Sequence, residues 1–398
     1  MYTEPLYGIS INLYLPYASV YMLALGLNDS QVGLIATVCM ISQVVFAFLS
    51  GPITDKLGRR KTTAVFDFVA WSIPSLIWWR AEGFWFFFMA AIINGTMQVV
   101  SNSWNCLLVE DAEKSEITGL ASLVVVAVQI SAFFAPIAAI LFSRLTLVPA
   151  LRILYFYAFI VMTFKIWLTN FLSRETRMGM IRLVETRKMS FFSLALGYGG
   201  VIKIIRKSRG TLFALTIAAL VGIVVMINNT FWQVIVSRKL LVPVHLLPIF
   251  PILKSAIAII FLFFVVPHMT RGILKLPLLV GFVCFFTGQT ILILTPVEGS
   301  VKYIMLCISL IFDGFGFGTL NMLARSLLAL NVNVKERARV MAVLNMITVA
   351  LTSPFGWIGG LLSGVSRNLP FVLNLFLLTT GFLITKIYYS ENRGQENE

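Results

Sequence analysis

Apolar residues in this chain come in long runs, and polar residues come in short bursts between them. A hydrocarbon core takes about 20 apolar helical residues. Twelve runs of that order are predicted, near 6–25, 31–54, 63–79, 84–106, 118–142, 149–172, 211–236, 245–266, 276–295, 302–324, 340–362 and 369–388. Backbone in hydrocarbon must satisfy its own hydrogen bonds, so runs of this length read as helices. Pro16, Pro74, Pro136, Pro251 and Pro354 fall inside them, which neighbouring helices make tolerable in a membrane.

The longest connection, residues 173–210, divides the runs six and six. The predicted organisation is therefore a bundle over 1–172, a basic linker over 173–210, and a second bundle with a short tail over 211–398. Within the linker, Phe191 to Ile205 is short for a span, is broken by "GYGG" and is flanked by Lys203, Arg206 and Lys207. It reads as an interfacial amphipathic segment. A thirteenth span there would put the termini on opposite sides. The halves repeat weakly: Asn94-Gly95 and then Asn102 in the fourth run match Asp313-Gly314 and then Asn321 in the tenth. "FFAPIAAI" and "SPFGWIGG" follow in the next runs. Parallel repeats of this kind suit a transporter. The expected fold is all-α and integral to the membrane, with twelve transmembrane helices in two six-helix bundles related by pseudo-two-fold symmetry.

Composition agrees. Of 398 residues, 59% are hydrophobic and only 12% charged, about half the share a soluble surface uses. The net charge of +14 would suggest nucleic acid in a soluble protein, but here the cations lie between apolar runs and no nucleic-acid partner is expected. With the N-terminus in the cytoplasm, 22 cations lie inside and 7 outside, leaving Lys165 and Lys254 within runs. The positive-inside rule then puts both termini in the cytoplasm of a multi-pass plasma-membrane protein. Four scattered cysteines and two histidines give no disulfide framework or metal site. No cofactor is expected, and a monomer is. The first run begins almost at Met1 and shows no cleavable leader, and a start upstream of Met1 is the alternative expectation.

One burst stands apart, "SGPITDKLGRRKTT" from Ser50 to Thr63. Gly51, Asp55, Gly58, Arg59 and Arg60 fit the spacing G-x-x-x-D-x-x-G-R-[RK], which resembles the signature of the major facilitator superfamily, between the second and third spans as in that family. The resemblance implies a secondary transporter whose cytoplasmic latch is built from this loop. Glu110 and Asp111, after span four, are the carboxylates available to Arg59 and Arg60. The corresponding loop of the second half, "VVPHMTRGILKLP", has Thr270 in place of the Asp, which puts a second latch in doubt. "NVNVKERARVMA" after span ten offers Arg337 or Arg339 for closing the inner side.

Ionisable groups inside a membrane are costly, about 2.5–3.5 kcal/mol at a helix centre. Asp313 lies mid-span in run ten and Lys254 in run eight. The family resemblance implies that helices one, four, seven and ten line a central cavity, with eight and eleven beside it, where Asp313 and Lys254 are expected to pair. In run four, Asn94, Gln98, Asn102 and Asn105 recur at helical spacing on one face. Asn229 and Gln233 are four apart in run seven, beside Asn228 and Trp232. Gln129 is in run five, and Asn12, Tyr14 and Tyr17 are in run one. Such a set serves either to bind a polar solute or to join helices. Asp67 is expected in the loop's charge network, with Lys165 snorkelling.

A Walker pattern and nucleotide-binding domain are missing from the sequence, so an ATP-driven pump is excluded. The expected function is secondary transport of a small polar solute by alternating access, with protons as a candidate coupling ion through Asp313. One alternative is a drug-exporting antiporter, but "AFFAPIAAI" has Ala132 and Ala135 where that type carries glycines. A solute sensor is the second alternative. An enzyme is not expected, because the polar clusters are too thin for catalysis.

Overall fold

The computed structural model describes residues 3–113, 116–187, 208–265, 274–330 and 337–395. The expected interfacial segment at 191–205, the position of Thr270 and residues 331–336 lie outside these. Among the described residues, helices form twelve membrane-length stretches: 4–24, Asp29–Leu57, 59–79, Phe84–Val109, 117–144, Leu147–Leu172, Arg209–Lys239, Val244–Val265, Lys275–Leu294, Val301–Leu330, 337–365 and Leu369–Gln395. These are spans one to twelve. A short helix, Arg177–Glu185, follows span six.

Ten of the described helices are long and apolar enough to cross a membrane. The two below that mark are spans one and three. Span one carries Glu4, Asn12 and four tyrosines, and span three carries Asp67 and opens on Arg59-Arg60-Lys61. Both are polar for a reason that appears in the site. Proline and packing interrupt several spans. Pro16 lies in a 3-10 turn at Leu15–Tyr17, and Pro136 follows one at Ala132–Phe134, as expected when a helix loses a backbone donor. Spans three, seven and eight contain wider π turns at Phe68–Ser72, Ile235–Lys239 and Phe261–Val265. Span two opens on a capping box, with Asn28 Oδ1 accepting from Gln31 N at 2.8 Å and Gln31 Oε1 accepting from Asn28 N at 3.0 Å. That pairing satisfies two of the donors a helix start leaves free.

The chain divides into two compact units, Met1–Gly199 and Gly200–Glu398. The first is packed on aromatics. Tyr155 of span six lies 4.9 Å from Tyr14 and 5.3 Å from Tyr21 between ring centroids, and Tyr17 lies 5.1 Å from Phe142. Tyr14 and Tyr17 of the expected polar set are therefore core residues. The second unit is knit by spans nine and ten. A Cβ at Gly316 would stand 2.5 Å from Phe285 N, and one at Gly288 would stand 2.8 Å from Asp313 N. Only glycine allows backbones this close, the small-residue packing that lipid favours. Large apolar side chains such as Trp85, Trp167, Phe171 and Phe376 point outward, which suits a lipid solvent.

Candidate functional site

Span two ends at Gly58, whose φ of +82° is a left-handed conformation that suits glycine. The turn brings Arg59 back over Asp55. The Arg59 guanidinium donates to Asp55 Oδ1 at 2.9 Å and to Glu110 Oε1 at 3.1 Å, with its Nε 3.2 Å from both Glu110 oxygens. Its side chain is 6% exposed. Burial pulls the Arg59 pKa down, but the hydrogen bonds and charges of Glu110 and then Asp55 outweigh it, so the pKa is raised overall. Arg60 does not meet a carboxylate through its side chain, which donates instead to Asn170 O at 2.7 and 3.0 Å. Asp111 accepts from Arg177 N at 3.3 Å rather than from Arg60. Gly51 is half-buried one turn before Asp55.

The start of span three carries the next layer. Glu175 accepts from Arg59 N at 2.9 Å and from Arg60 N at 3.0 Å. Its carboxylate thus caps a helix N-terminus, where free N–H groups and the positive end of the dipole favour an anion. Thr176 donates to Glu110, and Thr186 donates to Asp55 O at 3.1 Å. The short helix after span six is therefore fastened to the loop at both ends.

In the membrane-spanning part of this unit, the amides of span four reach their neighbours. Asn94 Nδ2 donates to Ala70 O at 2.8 Å, inside the π turn of span three, where a wider turn leaves backbone groups in need of partners. Gln98 Nε2 donates to Gln43 Oε1 at 3.0 Å, and Asn102 Nδ2 donates to Thr54 Oγ1 at 3.2 Å. Asn12 Nδ2 donates to Val128 O at 3.1 Å. Gln129 is half-buried and Asn105 exposed. Lys165 does not snorkel. It is 4% exposed and bonds Asp67 Oδ2 at 2.7 Å, with Asp67 itself 3% exposed, away from the loop cluster.

In the second unit, Asp313 and Lys254 are not an ion pair within 4.0 Å. Gln289 Nε2 donates to both Asp313 oxygens at 2.9 Å, and Asn374 Nδ2 donates to Gln289 Oε1 at 3.0 Å. That chain of amides joins spans nine, ten and twelve and supplies the donors a buried carboxylate requires. The Lys254 ammonium stands over the Trp232 ring, 4.4 Å from its centroid, at cation–π range. Along span seven, Asn228 Oδ1, Trp232 Nε1 and Gln233 Oε1 are buried without a hydrogen-bond partner in the chain. Asn229 is exposed.

A model of the Major Facilitator Superfamily matches residues 6–349. The chain belongs to the Major Facilitator Superfamily. Solved structures share the fold. A mutant of the nucleoside transporter NupG superposes with a TM-score of 0.74 at 13% identity, over 97% of this chain and 98% of that one. A POT family transporter in complex with 5-aminolevulinic acid gives 0.71 at 13% identity, over 98% and 94%. A structure from work on proton dependent oligopeptide transporters gives 0.69 at 14%, over 100% and 98%. No curated protein sequence matches the chain. As a Major Facilitator Superfamily member it is a multi-pass membrane protein and a secondary transporter of a small solute, not an enzyme. Four residues in its polar contacts escaped sequence reasoning: Glu175, Gln43, Gln289 and Asn374. Gln43 and Gln289 were detectable as lone amides in apolar runs, since such groups require partners there. Glu175 looked like one more charge in a basic linker.

Proposed function

We propose that this Major Facilitator Superfamily chain carries a small polar solute by alternating access, with Asp313 as the proton-responsive group and the Asp55–Arg59–Glu110 cluster as a latch on the cytoplasmic side. The reading places both termini in the cytoplasm of the plasma membrane and takes the monomer as the working unit. One observation carries the choice of a polar solute: three polar atoms of span seven, on Asn228, Trp232 and Gln233, are buried without hydrogen-bond partners in the chain, and the Trp232 ring carries the Lys254 ammonium. Each such atom costs about 1–3 kcal/mol, so a ligand that supplies partners is strongly favoured over a purely lipophilic one. Structural neighbours that are nucleoside and peptide transporters are consistent with that chemistry, though they contribute the fold alone.

The test is a thermal-shift screen of the detergent-purified protein against nucleosides, short peptides, sugars, organic acids and lipophilic cations. A ligand at about 100 times its dissociation constant adds roughly 2.7 kcal/mol. Polar hits that weaken in Trp232→Phe and Gln233→Leu are expected. Hits confined to lipophilic cations and indifferent to both substitutions would overturn the reading. For the proton role, Asp313→Asn in proteoliposomes should lose solute accumulation driven by a pH gradient while still exchanging solute. Unimpaired accumulation would remove Asp313 from coupling.

A further inference from the structure

A second group of buried charges lies in the first unit, outside the latch and outside the proposed solute site. Glu4 opens span one, Asp67 is in span three and Lys165 is in span six. Glu4 is 6% exposed, Asp67 2% and Lys165 4%. Lys165 Nζ bonds Asp67 Oδ2 at 2.7 Å and stands 5.7 Å from the Tyr7 ring centroid. Glu4 Oε1 is buried and has no hydrogen-bond partner in the chain.

Among the described residues the charges do not balance: two carboxylates, Glu4 and Asp67, stand against one ammonium, which is committed to Asp67. An ionised carboxylate oxygen buried without a donor costs several kcal/mol, and breaking up a buried pair to serve it costs as much again. A proton on Glu4 removes the mismatch, since two carboxylates at one site favour holding a proton between them. Among the described residues, Lys165 is the cation set against Glu4. Span five, which also packs on span one, has no ionisable residue between Ile117 and Ser143, and Tyr7 adds none at neutral pH.

A shallow surface groove along spans three and six is lined by Arg60, Thr63, Asp67, Thr169 and Asn170 among others. Tyr7, Phe66, Trp71 and Met162 belong to one apolar cluster of this unit.

We propose that Glu4, Asp67 and Lys165 form a proton-binding site in the first unit, in which Glu4 holds the exchangeable proton and the Asp67–Lys165 pair stays charged. Loss of that proton leaves Glu4 competing with Asp67 for Lys165, so the packing of span one against spans three and six depends on it. The site is independent of Asp313, and its failure would leave the proposed solute site untouched.

The experiment is infrared spectroscopy of the purified full chain at neutral pH, with glutamate labelled by carbon-13 so that Glu and Asp carboxyls are resolved. The wild type is expected to show a protonated glutamate carbonyl band that Glu4→Gln lacks and Asp313→Asn retains. If Glu4→Gln cannot be recovered folded, Glu4→Asp must move the band out of the labelled set. A wild type without a protonated glutamate band, or a band unchanged by either Glu4 substitution, overturns the proposal.

Discussion

Gly58 is held by two separate constraints. Its φ is +82°, and a Cβ there would stand 2.6 Å from Glu175 Oε2, the atom that caps Arg60 N. Alanine in a left-handed position costs more than about 1 kcal/mol, and displacing Glu175 adds to that. Gly58→Ala should lower thermal stability in detergent clearly, whereas Gly83→Ala, with an extended backbone and nothing within 4 Å of the new methyl, should be close to neutral. Equal effects would show that the turn at Gly58 is not constrained as described. Arg59 is the other sensitive position. It serves Asp55 and Glu110 from a nearly buried guanidinium, and losing one member of such a pair costs about 3 kcal/mol. Glu110→Gln should approach that figure in denaturation measurements, and Arg59→Lys should lose much of it, because a point charge cannot fork between two carboxylates. The raised pKa of Arg59 contributes stability that is fully present below its unfolded value and is lost only as pH rises through the folded one. Mildly alkaline buffer should therefore leave the cluster's cation intact. Asp55, Gly58 and Arg59 were legible because their spacing is local. Glu175 was not: it meets Arg60 from 115 positions away, and no local pattern reports such a contact.

At the scale of elements, run length was enough to find the spans, because hydrocarbon thickness fixes it. The interruptions were harder. Pro16 and Pro136 announce their kinks, but the π turn at Phe68–Ser72 depends on Asn94 reaching Ala70 O from span four, a contact between elements. The amides of span four illustrate the same limit, since their common face is visible in sequence and their partners are not. Gln98 meets Gln43 of span two, so a double-mutant cycle with Gln43→Leu and Gln98→Leu should return a coupling of about 0.6 kcal/mol, typical of interhelical polar contacts in membranes. A coupling near zero, together with loss of ligand shifts in Gln98→Leu, would move Gln98 to the solute. The short helix Arg177–Glu185 is tied down through Glu175, Thr176 and Thr186. Removing the carboxylate cap with Glu175→Ala should cost about 1–2 kcal/mol and speed tryptic cleavage at Arg177 and Arg182. An unchanged cleavage rate would mean that the helix is held by something else.

For the whole molecule, the consequential quantity is the sidedness of charge. The connections after spans two, four, six, eight and ten, with the tail, carry 22 of the cations, against 7 in the alternate connections and span ends. Lys and Arg near span ends resist translocation, so this imbalance sets the orientation of the chain. The proposed latch takes its side from the same rule, because Asp55, Arg59 and Glu110 all belong to the cation-rich connections. The Arg177–Glu185 helix, fastened to that cluster, must share it. Three exposed positions separate the faces: Glu82 after span three, Glu298 after span nine and Glu185 after span six. In intact cells expressing single-cysteine variants on a background cleared of Cys39, Cys106, Cys284 and Cys307, a membrane-impermeant maleimide should label Glu82→Cys and Glu298→Cys at once. Glu185→Cys should react only after permeabilisation. The reverse pattern would put the latch on the outer face and invert the gating sense proposed for it, and labelling of all three in intact cells would refute the twelve-span threading of the two bundles.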